Sequence, residues 1–200
     1  MEKDFRSHHN HIEYRDSYKK VLDDIELQDS GGRSLGIPDV IHEIAVLLSQ
    51  KPSQPRVYFI GNGGSAAIAS HKCANFIKYF GIPAHCFNDG PLLTCFSNDY
   101  GYKEAFERLI KIFVQPGDIL FAISSSGASL NILRGTQAAR ELKALVVTLS
   151  GFETLNPLRK LGDYNFYVPS NSYRYVESAH LHILDYLVDY GIKLMDAAKK

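Results

Sequence analysis

The spacing of hydrophobic positions changes character near residue 56. Before it, Tyr14, Tyr18, Val21, Leu22 and Ile25 recur at three- and four-residue steps over 12–27, which predicts an amphipathic helix. Asp29-Ser30-Gly31-Gly32 breaks it. A second helix is expected from Ile37-Pro38, because proline suits a first helical turn, and it would carry Val40, Ile41, Ile44, Leu47 and Leu48 on one side. Nothing in the first 50 residues reads as a strand. From Arg56 the pattern becomes continuous: Arg56-Val57-Tyr58-Phe59-Ile60 is a short apolar, β-prone run of the kind a parallel sheet covers on both faces. Similar runs at 84–87, 118–123, 144–149 and 163–168 alternate with expected helices at 66–79, 91–97, 102–113, 130–142 and from 173 to about 197. That alternation implies an α/β fold, a five-stranded parallel sheet with helices on both faces. The expected division is a helical extension over residues 1–55, ending in a linker at 51–55 and serving oligomerisation, followed by one domain over 56–200.

Composition narrows the function. The 200 residues carry 22 basic and 22 acidic side chains, so there is no long-range field of the kind a nucleic-acid binder uses. No apolar run approaches the 18 or so residues of a membrane span, and Met1-Glu2-Lys3-Asp4-Phe5-Arg6 has no apolar signal core. Cys73, Cys86 and Cys95 are odd in number and form no Cys-x-x-Cys pair. They suit a reducing cytoplasm and read as buried apolar fillers. The expectation is a cytoplasmic domain that contacts neither nucleic acid nor membrane.

Two loops carry the candidate chemistry. Gly61-Asn62-Gly63-Gly64-Ser65 follows the first strand of the sheet, and Ser124-Ser125-Ser126-Gly127-Ala128-Ser129 follows the third. Each opens a helix, and a helix N-terminus offers unpaired N–H groups and partial positive charge to an anion. Either loop alone also reads as an ordinary serine-capped turn. Together they favour a ligand, because four serines in six residues exceed what capping requires. Neither is a nucleotide fingerprint: Ala66 replaces the third glycine of G-x-G-x-x-G, and the Lys-Ser/Thr ending of a P-loop is missing. A sugar phosphate fits better than a dinucleotide.

These loops, with Asn98-Asp99, resemble the sugar isomerase (SIS) domain, and within it the phosphoheptose isomerase branch, which interconverts sedoheptulose 7-phosphate and D-glycero-D-manno-heptose 7-phosphate. The resemblance implies a flavodoxin-like sheet and a homotetramer with shared active sites. It implies that Asn62, Gly63 and Gly64 line the sugar site. Ser65, Ser124, Ser126 and Ser129 would hold the phosphate with Ser125 beside them, and Asn98 and Asp99 would face the sugar chain. The branch also has a His-x-x-x-Glu pair after the glycine loop, and a glutamine and a histidine eight residues apart on the last helix, which together form a zinc site. Here His71 is present, but Asn75, Glu177 and Asp185 stand at the other three positions. Both the zinc and the usual acid and base are therefore open, with His71, Glu177 and Asp185 the ligands if a metal is held.

Isomerisation still needs a base, and an amide such as Asn75 does not titrate. Glu177 can serve, as a glutamate here does in other SIS sugar-phosphate isomerases; its position in a first helical turn also reads as a dipole effect. Glu177, Leu181 and Asp185 share a helical face with His180 one step aside, so His71 and His180 are the candidates for proton relay or ring opening. Asp185 would line the substrate site or pair with a basic residue. The resulting expectation is an aldose–ketose isomerase of sugar phosphates. The alternative is a non-catalytic sugar-phosphate-binding or regulatory protein, as one relative of the branch is a partner of the replication initiator DnaA. A lyase or etherase of the wider superfamily is a third reading.

Overall fold

The structure is a computed structural model that describes residues 10–49 and 54–199. Most of the expected linker at 51–55 lies outside the described residues. The elements run α1 (His11–Asp23), β1 (Glu26–Asp29), α2 (Ile37–Ser49), β2 (Val57–Gly61), α3 (Gly64–Asn75), β3 (Ala84–Cys86), α4 (Gly90–Tyr100), α5 (Tyr102–Phe113), β4 (Ile119–Ser124), α6 (Leu130–Glu141), β5 (Leu145–Gly151), β6 (Tyr164–Val168) and α7 (Tyr173–Ala197). A π-helical turn, Phe76–Phe80, continues α3, and a short 3-10 turn, Pro157–Lys160, precedes β6.

The strands form one sheet in the order β1-β6-β5-β4-β2-β3. The sequence led us to expect five strands, all parallel; there are six, and the extra one is β1, which pairs antiparallel with β6 from Glu26 opposite Tyr167 to Asp29 opposite Tyr164. Helix α1 stops at Asp23, short of the helix expected to reach residue 27, and the chain turns so that Leu27 enters the core. Four residues with a single buried apolar side chain show no period long enough to read as a strand, so the three- and four-residue spacing of Ile25 hid it.

The five parallel strands keep the flavodoxin-like order, with the chain turning to opposite flanks between β2 and β4. Side chains alternate across them. Val57 and Phe59 of β2 face α2, α3 and α7, while Tyr58 and Ile60 face α5 and α6, and all four are buried. β2 and β4 are buried along their whole length, which explains their unbroken apolar runs. The segment before residue 56 belongs to the same core, since α2 buries Val40, Ile41, Ile44, Ala45 and Leu48 in it. α1 buries no residue fully, and leans its tyrosines on α7 with Tyr14 and Tyr18 at 5.1 and 5.9 Å from the Tyr175 ring. Cys73 and Cys86 are half-buried and Cys95 is exposed, so the cysteines are not the buried fillers expected. Among the described residues no helix is long and apolar enough to cross a membrane.

Candidate active site

A cavity of about 200 Å³ opens at the carboxyl ends of β2 and β4, where a doubly wound sheet reverses direction and ligands bind. Asn62, Gly63, Gly64 and Ser65 wall one side. Ile123, Ser124, Ser125, Ser126 and Ser129 wall another, and Tyr173 and Glu177 of α7 close it. The chain thus brings both candidate loops and the candidate base to one place.

The loops hold their shape through backbone that few residues tolerate. Gly63 precedes α3 at φ 54° and Gly127 turns the serine loop at φ 61°, conformations that favour glycine. A Cβ on Gly127 would run into the side chain of Asn156. Asn156 in turn donates from Nδ2 to the Gly151 and Glu153 carbonyls at 3.1 and 2.9 Å, and Leu158 N donates to the Gly127 carbonyl at 3.1 Å. The two loops are tied together by a reciprocal amide pair: Asn62 and Asn131 each donate from Nδ2 to the other's Oδ1 at 2.9 Å. Tyr102 adds its hydroxyl to Asn62 Oδ1 at 2.6 Å. Asn131, Asn156 and Tyr102 escaped the sequence reading, because only the folded chain brings them to the loops.

Asn62 is engaged by Asn131 and Tyr102, and Ser126 Oγ accepts from Ala128 N at 3.3 Å, but the helix starts and the Ser125 hydroxyl facing the cavity are uncommitted. α1 and α4 are capped by Asn10 and Asp89, whose side chains accept from the first helical turn. α3, α6 and α7, which start at the cavity, have no side-chain cap hydrogen bond, although Ser129 occupies the cap position of α6. The reading of these serines as helix caps therefore fails at Ser129. Ser125 Oγ is buried with no hydrogen-bond partner, which costs about 1–3 kcal/mol unless a ligand supplies one. Backbone N–H groups at three helix starts and several hydroxyls converge there, without a lysine or arginine among the lining residues.

Glu177 is half-buried, and its carboxylate lies so close to Gly64 that a Cβ there would collide with it. Burial raises its pKa above the ordinary glutamate value, and no charged or hydrogen-bonding neighbour offsets the rise. Tyr173 stands one helical turn earlier on the same face of α7, which the sequence reading did not single out.

The remaining candidates lie elsewhere. His180 is fully buried; its Nε2 lies 3.1 Å from the Ser150 carbonyl, which fixes the proton on that nitrogen, and its Nδ1 has no partner. Burial pushes its pKa down to about 4 against the opposing pull of that carbonyl, so it is neutral at pH 7 and outside the cavity lining. The helical wheel placed it one step from Glu177, and that step turns it into the core. Asp185 forms an ion pair with Lys72, whose side chain is completely buried between α3 and α7. It does not line the cavity. His71 is exposed on α3, and Asn98 and Asp99 are exposed near the end of α4, with Asn98 Nδ2 bonded to Asp99 Oδ1 at 3.0 Å. Among the described residues no three His, Cys, Asp or Glu side chains converge as metal ligands. His71, Glu177 and Asp185 are separated, with Asp185 committed to a lysine, so this donor set does not fit zinc within one chain.

The profile of the SIS-domain family matches residues 13–151. The phosphoheptose isomerase of Crocosphaera subtropica is 36% identical over 146 residues, covering 70% of this chain and 74% of its own. That of Thermodesulfovibrio yellowstonii is 35% identical over 173 residues, covering 80% and 85%. In three dimensions, a phosphoheptose isomerase from Francisella tularensis superposes with a TM-score of 0.76 over 91% of this chain and 96% of its own, at 24% identity, which speaks for the fold. The chain belongs to the SIS-domain family, in its phosphoheptose isomerase branch.

Proposed function

We propose that the protein is a sugar-phosphate isomerase, interconverting an aldose and a ketose phosphate through an enediol, with sedoheptulose 7-phosphate the first substrate to test. The observation that carries this reading is a single cavity that joins an uncommitted anion-binding face to a desolvated carboxylate. The serine loop and the N-termini of α3 and α6 hold the phosphate through N–H and O–H donors. Glu177 then takes the proton from the carbon beside the carbonyl and returns it to the neighbouring carbon. Its raised pKa suits it to both steps, since a base works best near the operating pH. No step requires zinc.

The working molecule we infer is a cytoplasmic homotetramer with shared sites. Asn98, Asp99 and His71 support this arrangement by their exposure outside their own chain's cavity, where a second copy could use them. Residues 1–55 would serve that assembly through α1, whose Ile12 is 59% exposed.

The test is turnover of sedoheptulose 7-phosphate, followed by pentose and hexose phosphates, with Glu177→Gln beside the natural chain. Activity that falls by roughly 10²–10⁴-fold in the variant supports the assignment; full activity in the variant refutes it. Calorimetric binding without turnover on any of these sugars would make the protein a sugar-phosphate sensor. The Lys72–Asp185 pair favours that second reading, because it removes one titratable group from the reaction.

A further inference from the structure

Phe152 is a bulky residue held at φ 61°, in the left-handed region that side chains avoid. Such strain persists only where the surroundings over-determine it, and it gathers at working sites. Here the surroundings are identifiable. Phe152 N donates to the Ser170 carbonyl at 3.0 Å, and the Tyr167 hydroxyl donates to the Phe152 carbonyl at 2.7 Å. The strained backbone sets the Phe152 ring edge-to-face against Tyr173, with centroids 4.7 Å apart and planes at 81°. Tyr173 lines the cavity, one helical turn from Glu177, and it is the cavity's one phenol. It remains 49% exposed, so its own helix does not hold it; Phe152 does.

We propose that Tyr173 is the acid partner of Glu177, a catalytic residue whose hydroxyl serves the sugar oxygens, and that Phe152 is the residue that positions it. The inference rests on the isomerase reading above. As Glu177 removes the carbon-bound proton, the electron pair moves into the carbonyl, and the Tyr173 hydroxyl donates its proton to that oxygen. The phenolate then accepts the proton of the adjacent hydroxyl, the second carbonyl forms there, and Glu177 delivers its proton to the former carbonyl carbon. Every proton removed is returned, and no co-reactant enters. Among the described residues, His180 is buried and neutral and His71 lies outside the cavity lining, so neither candidate histidine serves this step within the chain.

The test is steady-state kinetics on the substrate the natural chain turns over, with Tyr173→Phe, Phe152→Leu, Phe152→Tyr and the double variant Tyr173→Phe/Phe152→Leu. Tyr173→Phe is expected to lower kcat by roughly 10²-fold with KM changed less than about threefold. Phe152→Leu should lower kcat in the same way and Phe152→Tyr, which keeps the ring, should restore it. The double variant should fall no further than Tyr173→Phe, because both changes remove one function. Full kcat in Tyr173→Phe overturns the proposal, and so do losses that multiply in the double variant. A natural chain that binds sugar phosphates without turning any over fails differently: it removes the isomerase reading, and this acid partner with it.

Discussion

The two ends of β4 make opposite use of polar side chains. At the amino end, Asp118 is 5% exposed, and every available partner engages it: Arg56 through its backbone N, Nε and Nη2 at 3.2, 3.2 and 2.8 Å, and Gln115 N at 2.8 Å. At the carboxyl end, seven residues later, Ser125 is equally buried and its hydroxyl has no partner. One end is finished by folding alone. The other leaves a hydroxyl unpaired beside the cavity, and that contrast supports the proposed phosphate site. It also separates two kinds of buried polar residue that look alike in a sequence.

That contrast can be broken in measurable ways. The largest effect belongs to Glu177→Gln, with turnover down roughly 10²–10⁴-fold while sugar-phosphate affinity and the unfolding midpoint stay near those of the natural chain. Next is Asp118→Ala, which strands Arg56 and the Gln115 N–H; it should cost about 2–3 kcal/mol of stability in denaturant titrations yet leave kcat per folded molecule unchanged. Ser125→Ala should do the reverse, weakening sugar-phosphate binding by calorimetry roughly fivefold, about 1 kcal/mol, with stability unchanged or slightly higher. A further effect, spread over a pH window, is on the pH dependence of stability. His180 has its pKa lowered from 6.5 to about 4 by burial, so the unfolded chain binds the extra proton first. The stability its neutral form contributes is present above pH 6.5 and is lost as pH falls toward about 4, at no more than about 1.4 kcal/mol per pH unit. A His180→Gln variant should lack that slope in urea titrations across the window.

The site was legible where it is local. Gly61 to Ser65 and Ser124 to Ser129 announce themselves because each needs glycine backbone and hydroxyls within a few consecutive residues, whereas Glu177 was reached through the resemblance to other SIS isomerases, since a glutamate in a first helical turn reads equally as a dipole effect. Tyr173, Asn131 and Asn156 were not legible, since each gains its place from a residue far along the chain. Asp185 was read as a site residue because nothing local shows that Lys72 is buried; lysine is seldom fully buried unless paired. The parallel strands were legible from unbroken apolar runs. β1 was not, since an edge strand of four residues carries almost no period.

That strand has a kinetic consequence. It pairs Glu26 with Tyr167 and Asp29 with Tyr164, so the first strand made must wait for the last. At about 5–20 residues per second, β1 leaves the ribosome roughly seven to thirty seconds before its partner exists. During that interval β1 has no strand to pair with, and the apolar face of α2 lacks the α7 side chains that share its core. Such distant pairings slow folding in general, and here β1 can close onto β6 only after every other strand of the sheet has been made. A nascent chain halted before residue 164 would carry all the residues of the serine loop and the glycine loop and still lack the strand and the helix that complete the cavity.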